Sequence, residues 1–501
     1  MKTIRVVSFL SLVLAAGCST NTIIYVDPDG GAVDPDADPG ADSAPLSEVL
    51  TKGLSIDEVA VYQAVKIDVM KGGQNASLSA PIVAKRQAMF RVFVTPDSSW
   101  QPHSVTAKLF LRTGGTLSIL KDTRTISAAS TDADINSAFP FFPTAAQIDI
   151  DTTWSVELTE QGTGPGPSAT DPGRYPQDGT DTALGAKSSG AALKITMFPI
   201  VLTANGITPD TTSSTVGTWS KVIRKIYPIP AVDITVGSPL NYGGALPQAN
   251  GTGWDSLLNA LTQKRNTDKV AADVYYFGVF IPNASFQSFC GGGCVAGLSN
   301  LSANVQDAWA RASIALGYAG QFAEGTGYTI AHEVGHAHGR SHAPCGPVQG
   351  VDPAFPDPTG GIGVWGYDTD TATLIDPSPT GTPTKDMMGY CDPKWISNYN
   401  YKALFARLQT INGADMQVPT WDTPRPYRMV RVLEDGTATV GDRIDVNAPL
   451  YGEERTVSVT LSDGTTRSLT GNYYAYDHVS GGYVMVPEAG KVTVVKAKIL
   501  L

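Results

Sequence analysis

The sequence predicts a multidomain protein in which an α/β (α+β) central region is flanked by N- and C-terminal domains of β-sandwich-like character. Three observations lead there. Residues 48–190 and 416–501 carry runs in which apolar and polar side chains alternate with period two. Residues 191–415 mix that period with a helical one. The 501 residues, 42% hydrophobic and 17% charged, are too many for one ordinary core and too apolar for a disordered chain. The 51 glycines and 34 prolines favour turns and short strands over long helices.

The first 18 residues read as a targeting segment. Lys2 and Arg5 precede an apolar run, Val6 to Ala16, that is too short for a permanent span. Leu14-Ala15-Ala16-Gly17-Cys18 resembles the lipobox of bacterial lipoproteins, with Ala15 where Leu is usual. The resemblance implies that Cys18 is lipidated and holds an exported protein on a bacterial, outer-type membrane, at the cell surface or on its periplasmic side. The alternative is an ordinary cleaved signal peptide. No other stretch approaches the ~20 apolar residues of a span, so the membrane is met only through that lipid. Residues 19–47, with Asp27-Pro28, Asp34-Pro35 and Asp38-Pro39, form an acidic Pro/Gly linker.

In the segment 48–190, Phe90, Val92 and Val94 alternate with Arg91, Phe93 and Thr95, and Val105, Ala107, Leu109 and Leu111 alternate with Thr106 and Lys108. Such runs, separated by turn residues, predict a β-sandwich; the stretch around Gly162–Ser189 reads as a loose connection. In 191–415, Leu193, Ile195 and Met197 mark a strand, and Trp254, Leu257, Leu258 and Leu261 mark one face of a helix. Val270–Phe280 reads as a buried strand. Tyr328–Gly339 and Asn398–Asn412 read as helices, the second stopped by Gly413. This alternation indicates an α/β unit. From 416 to 501, Val457, Val459 and Leu461 alternate, and Asp435-Gly436 and Asp463-Gly464 are hairpin signals. A net charge of −11 with no basic stretch excludes a nucleic-acid partner.

Four of the six histidines lie within His332-Glu333-Val334-Gly335-His336-Ala337-His338-Gly339-Arg340-Ser341-His342. His332 and His336 project from one side of a helix, about 40° apart and ~6 Å along the axis, so two imidazoles can share one metal ion. Gly339 can take the left-handed conformation that ends the helix, and the turn brings His342 round as a third ligand. Three neutral nitrogens leave a fourth position for water, the layout of a catalytic zinc site. Glu333 is placed to act as general base on that water. The five fixed positions match by accident in such a chain with a probability on the order of 10⁻⁴. His338 points away from the ligand face and reads as exposed or structural. His103 and His478 are isolated and receive no functional role.

The motif H-E-x-x-H-x-x-G-x-x-H is the zinc signature of the metzincin metallopeptidases, and residues 191–415 resemble that family; no subfamily is assigned. The resemblance implies one catalytic zinc ion held by His332, His336 and His342. It also implies a Met-turn beneath the ligands, which Lys385-Asp386-Met387-Met388-Gly389-Tyr390-Cys391 fits. Of its two methionines Met388 is chosen, because Met-x-Tyr then matches the astacin and serralysin branches. Tyr390 becomes a candidate oxyanion stabiliser, or a tyrosine packed beside the turn.

Apart from Cys18 the chain has Cys290, Cys294, Cys345 and Cys391, an even number that points to two disulfides in one of three pairings. In the metzincin frame, Cys345–Cys391 would clamp the third-ligand loop to the Met-turn, worth about 3–4 kcal/mol. Cys290 and Cys294 would then close a small loop. The resemblance further implies that Val295-Ala296-Gly297-Leu298 is an edge strand binding substrate by backbone pairing. It also implies that Val364-Trp365-Gly366-Tyr367 shapes the S1′ pocket; alternatively Trp365 anchors a long loop. The activity implied is hydrolysis of extracellular protein or glycoprotein substrates. The alternative is a surface adhesion protein with an inactive core. Structural calcium, and whether 48–190 is a prodomain or an accessory domain, stay open.

Overall fold

A computed structural model describes residues 47–162, 172–413, 418–433, 437–478, 481–488 and 493–499. The expected lipidation at Cys18, the linker up to residue 46 and the Asp435-Gly436 hairpin signal lie outside the described residues. The protein is sheet-rich with few helices, and among the described residues no helix is long and apolar enough to cross a membrane.

The period-two pattern of the N-terminal region becomes two facing sheets. Leu54–Lys71 pairs antiparallel with Met89–Pro96, which pairs with Phe139–Phe141. His103–Thr113 lies between Thr116–Ile126 and Thr153–Gly162. Val105, Ala107, Leu109 and Leu111 face inward and share a core with Trp154, Val156, Val61, Phe90 and Val92. Alternation buries one face of the sheet of His103–Thr113. Residues 89–94 are instead buried on both faces, with Tyr62, Met89 and Phe93 packed beside Tyr367 on the side away from that core. Of the stretch read as a loose connection, Arg174–Tyr175 and Thr182–Ala183 pair with Thr153–Gly162.

This sandwich is completed from far along the chain. Gly366–Asp368 pairs with Ala64 and Val65, and Trp365 packs against residues of that sheet. Trp365 therefore anchors a loop on the N-terminal sandwich and does not line the cleft described below. Arg86, buried, donates to the carbonyls of Lys225, Tyr227 and Ile229 at the end of helix Ser213–Ile226. One continuous apolar core runs through both regions.

The central region is an α/β layer. Its sheet runs Val232–Val236, Leu193–Leu202, Val274–Phe280, Ala312–Leu316, all parallel, with Gly297–Ser299 antiparallel at the edge. Leu193, Ile195 and Met197 face helices Ser213–Ile226 and Ala323–Ala337, while Ile200 and Leu202 face helix Trp254–Asp268. Two helical faces bury both sides of the sheet, as a parallel sheet requires.

The C-terminal region departs from the expected sandwich. It is one six-stranded antiparallel sheet whose end strands, Ala438–Val446 and Val494–Ile499, approach each other. Val430, Val432, Val457, Val459, Val484 and Val486 fill its inner side, while Tyr427, Met429, Tyr474 and Tyr483 pack outward with Trp309 of the central region. Small branched side chains inside and bulky ones outside suit a single curled sheet better than two flat layers.

Candidate metal centre

Helix Ala323–Ala337 buries a stripe of Thr326, Ile330, Ala331 and Val334 and carries His332, Glu333 and His336 inward with it. Gly339 ends the helix at φ +79°, and an added Cβ there would lie 2.9 Å from the Ser302 carbonyl oxygen. The Arg340 N–H returns 3.0 Å to the Gly335 carbonyl, so the left-handed residue reverses the chain as a glycine C-terminus does. The Arg340 side chain is held by Asn400 and Asp352, and the chain then delivers His342.

The three Nε2 atoms converge. His336 Nε2 lies 3.0 Å from His332 Nε2 and 3.2 Å from His342 Nε2. Each Nδ1 faces a backbone carbonyl: His332 donates to Met387 at 2.7 Å, His336 to Arg340 at 2.6 Å and His342 to Gln349 at 2.5 Å. A carbonyl only accepts, so the proton sits on Nδ1 and the Nε2 lone pairs point at one another. Burial holds His332 and His336 well below the usual imidazole range and brings His342 to about 3, so all three are neutral. Three buried lone pairs at this separation repel unless a cation lies among them, and the outer carbonyls orient them as they do in metal sites. The donor set fits a metal ion, and His478 brings a ring nitrogen within 4.8 Å of the same donor atoms.

Beneath the ligands, Met388 is fully buried, its sulfur so close to the helix that a Cβ on Gly335 would fall 2.6 Å from it. The turn is fixed by Asp386, whose carboxylate accepts from the Met388 and Ser397 N–H groups and from Asn400. Both methionines serve: Met388 is the apolar floor, and the Met387 carbonyl orients His332. The Cys345–Cys391 disulfide ties the third-ligand loop to this turn, and Cys290–Cys294 closes the small loop before the edge strand.

Glu333 is fully buried, and burial pushes its carboxyl well above the usual range. A cation among the three nitrogens acts in the opposite sense. Gly297 of the edge strand lies directly against it. A cleft of about 600 Å³ opens here, lined by Val295–Gly297, Tyr328, His332, Glu333, Tyr390 and His478 among others.

Two further residues, neither given a role by the sequence, meet this cluster. His478, from the C-terminal sheet, places Nε2 2.8 Å from Glu333 Oε1, and its Nδ1 is bonded to the Tyr390 hydroxyl. Asp477 is fully buried and accepts from the Ser299 N–H at 2.9 Å. Tyr390 thus meets the site through His478; burial, then the nearby Glu333 and Asp477 charges, raise its phenol far above the ordinary value. The only sequence signal was that His478 is one of two histidines outside the motif. Of the two readings of His338, exposed or structural, the second holds: it is buried, its ring stacks on Tyr275 at 4.7 Å and it donates to the Val334 carbonyl. His103 lies apart, paired with Glu160 on the N-terminal sandwich.

No family model and no curated protein matches the chain. Among solved structures, one described as "Structure of a chaperone-substrate complex" is 12% identical with a TM-score of 0.25, covering 55% of this chain. This chain spans 39% of its length. Another, "Crystal Structure of metalloproteinase-II from Bacteroides fragilis", is 13% identical with a TM-score of 0.23, covering 64% of this chain and 83% of that one. Likenesses of this size transfer neither fold nor activity.

Proposed function

We propose that the chain is a zinc-dependent endopeptidase of metzincin type, acting on extracellular protein or glycoprotein substrates and tethered to the bacterial surface by a lipid on Cys18. The observation that carries this reading is the convergence of three Nε2 lone pairs, each fixed by an Nδ1–H to a carbonyl, beside the Glu333 carboxylate in an open cleft. His332, His336 and His342 would hold the zinc ion. When bound, zinc supplies Lewis-acid polarisation and makes a water acidic near neutral pH.

The chain's own residues do the rest. A peptide laid along residues 295–297, the part of the edge segment that lines the cleft, gains backbone pairing and an orientation along it. Glu333 takes the proton of the attacking water and passes it to the leaving amine. Met388 and the carbonyl of Met387 keep the ligand imidazoles in place. A purely structural metal site has no use for Glu333, which favours an enzyme over an adhesion protein with an inactive core. Hydrolysis of casein or a quenched peptide by the purified chain, lost with chelator and restored by zinc, is the test. Tight zinc binding without turnover of any substrate would favour the adhesion protein.

A further inference from the structure

The residue that completes the site from outside the central region is His478. It sits at the tip of a hairpin between strands Thr466–Ala475 and Gly482–Pro487. That tip is pinned to the edge strand: Asn300 bridges antiparallel to Tyr476, and the Ser299 N–H donates to Asp477 Oδ2. The His478 backbone N–H in turn donates to Asp477 Oδ1 at 2.8 Å. These contacts place the imidazole with its ring centroid 5.0–5.4 Å from those of His332, His336 and His342.

Its bonding differs from theirs. Each ligand histidine turns Nε2 toward the other two, whereas both nitrogens of His478 are engaged elsewhere, with Glu333 and with Tyr390. A neutral imidazole has one N–H. With an ionised Glu333 as acceptor, that proton is on Nε2, and Nδ1 accepts from the Tyr390 hydroxyl. The cleft wall thus holds an N–H donor beside the general base, backed by a tyrosine.

We propose that His478 is a catalytic residue, supplied by the C-terminal sheet, whose Nε2–H stabilises the oxyanion formed on the peptide carbonyl. The inference rests on the peptidase reading above. As the water oxygen bonds to the peptide carbon, its proton passes to Glu333 and the carbonyl π pair moves to the peptide oxygen. The acceptor of the His478 N–H loses its charge as the peptide oxygen gains one, so the N–H follows the charge. On collapse the C–N bond breaks, the amine takes the proton from Glu333, and a carboxylic acid is left. The active site is then complete only with the C-terminal region in place.

The test uses the full zinc-loaded chain with His478→Ala, His478→Gln and Tyr390→Phe. Four readouts are needed: kcat, KM, zinc affinity, and affinity for a phosphinic peptide that mimics the tetrahedral oxyanion. We expect His478→Ala to lower kcat by roughly 10²–10³-fold, with KM and zinc affinity held and phosphinic-peptide binding weakened in parallel. His478→Gln, which keeps an N–H, should recover part of the loss, and Tyr390→Phe should lower kcat less. These two variants carry the test if His478→Ala does not fold. A tenfold loss of zinc affinity would make His478 a ligand and overturn the proposal. Unchanged or raised turnover would make it part of a covering loop and would overturn the proposal equally. A wild-type chain that binds zinc and cleaves nothing would overturn the peptidase reading and this inference together.

Discussion

Gly297 and Glu333 are in contact across the cleft floor: a Cβ added to Gly297 would fall 2.2 Å from Glu333 Oε1. The edge strand can approach the Glu333 carboxylate this closely only because it presents bare backbone there. Gly297→Ala must therefore displace the carboxylate. We expect zinc content to be kept and kcat/KM to fall roughly 10²-fold, as for an ångström-scale misplacement of a catalytic group. Equal activity would show that Glu333 tolerates the shift and does not act from this position.

The Cys345–Cys391 bond spans 46 residues and joins the His342 loop to the turn that carries Met388. Loop closure of that length is worth about 4 kcal/mol. Cys345→Ser with Cys391→Ser should lower Tm and weaken zinc binding together, because the third ligand loses its anchor. A lower Tm with unchanged zinc affinity would separate the clamp from the ligands.

Arg86 donates to three carbonyls at the end of helix Ser213–Ile226 from a fully enclosed position. Arg86→Ala removes the guanidinium donor from all three, although the Tyr227 carbonyl keeps the Ile229 N–H. Urea unfolding should show a loss of about 2–4 kcal/mol, and no loss would mean that solvent replaces the guanidinium. Because the sandwich and the central region share one core, removing residues 48–190 should leave an insoluble remainder.

His338 fixes a pH dependence. Burial lowers it from 6.5 to about 3, so the fold holds it neutral while the unfolded chain protonates it. Its contribution to stability is complete above pH 6.5 and is lost as the pH falls through that window toward about 3, as for His342. One such group adds a slope of at most about 1.4 kcal/mol per pH unit. His338→Phe, which keeps the ring against Tyr275, should show a shallower loss of stability between pH 6 and 4. An unchanged slope would place the sensitivity elsewhere.

Much of the site was legible because its chemistry is local. Two histidines one helical turn apart, a glycine that must be left-handed, and a third histidine three residues on lie in one short segment. Helix geometry and a single turn therefore fix their relation. The Asp386–Met388 turn followed only from the metzincin resemblance, since nothing local ties Met388 to Gly335. His478 was not legible: it comes 136 residues after His342, on a hairpin whose approach depends on the Asn300–Tyr476 bridge and the Trp309 contact. Periodicity reports which face of a strand is buried, not what that strand will lie against. For the same reason the alternation in 416–501 revealed strands but not their curling into one sheet, and no local signal sent Gly366–Asp368 into the N-terminal sandwich.

Anomalous diffraction at the zinc edge, from crystals of the zinc-loaded chain, tests most directly whether these three imidazoles share one metal ion. It should show a single strong peak about 2.0–2.1 Å from the Nε2 atoms of His332, His336 and His342. A peak elsewhere, or none among these three nitrogens, would contradict it.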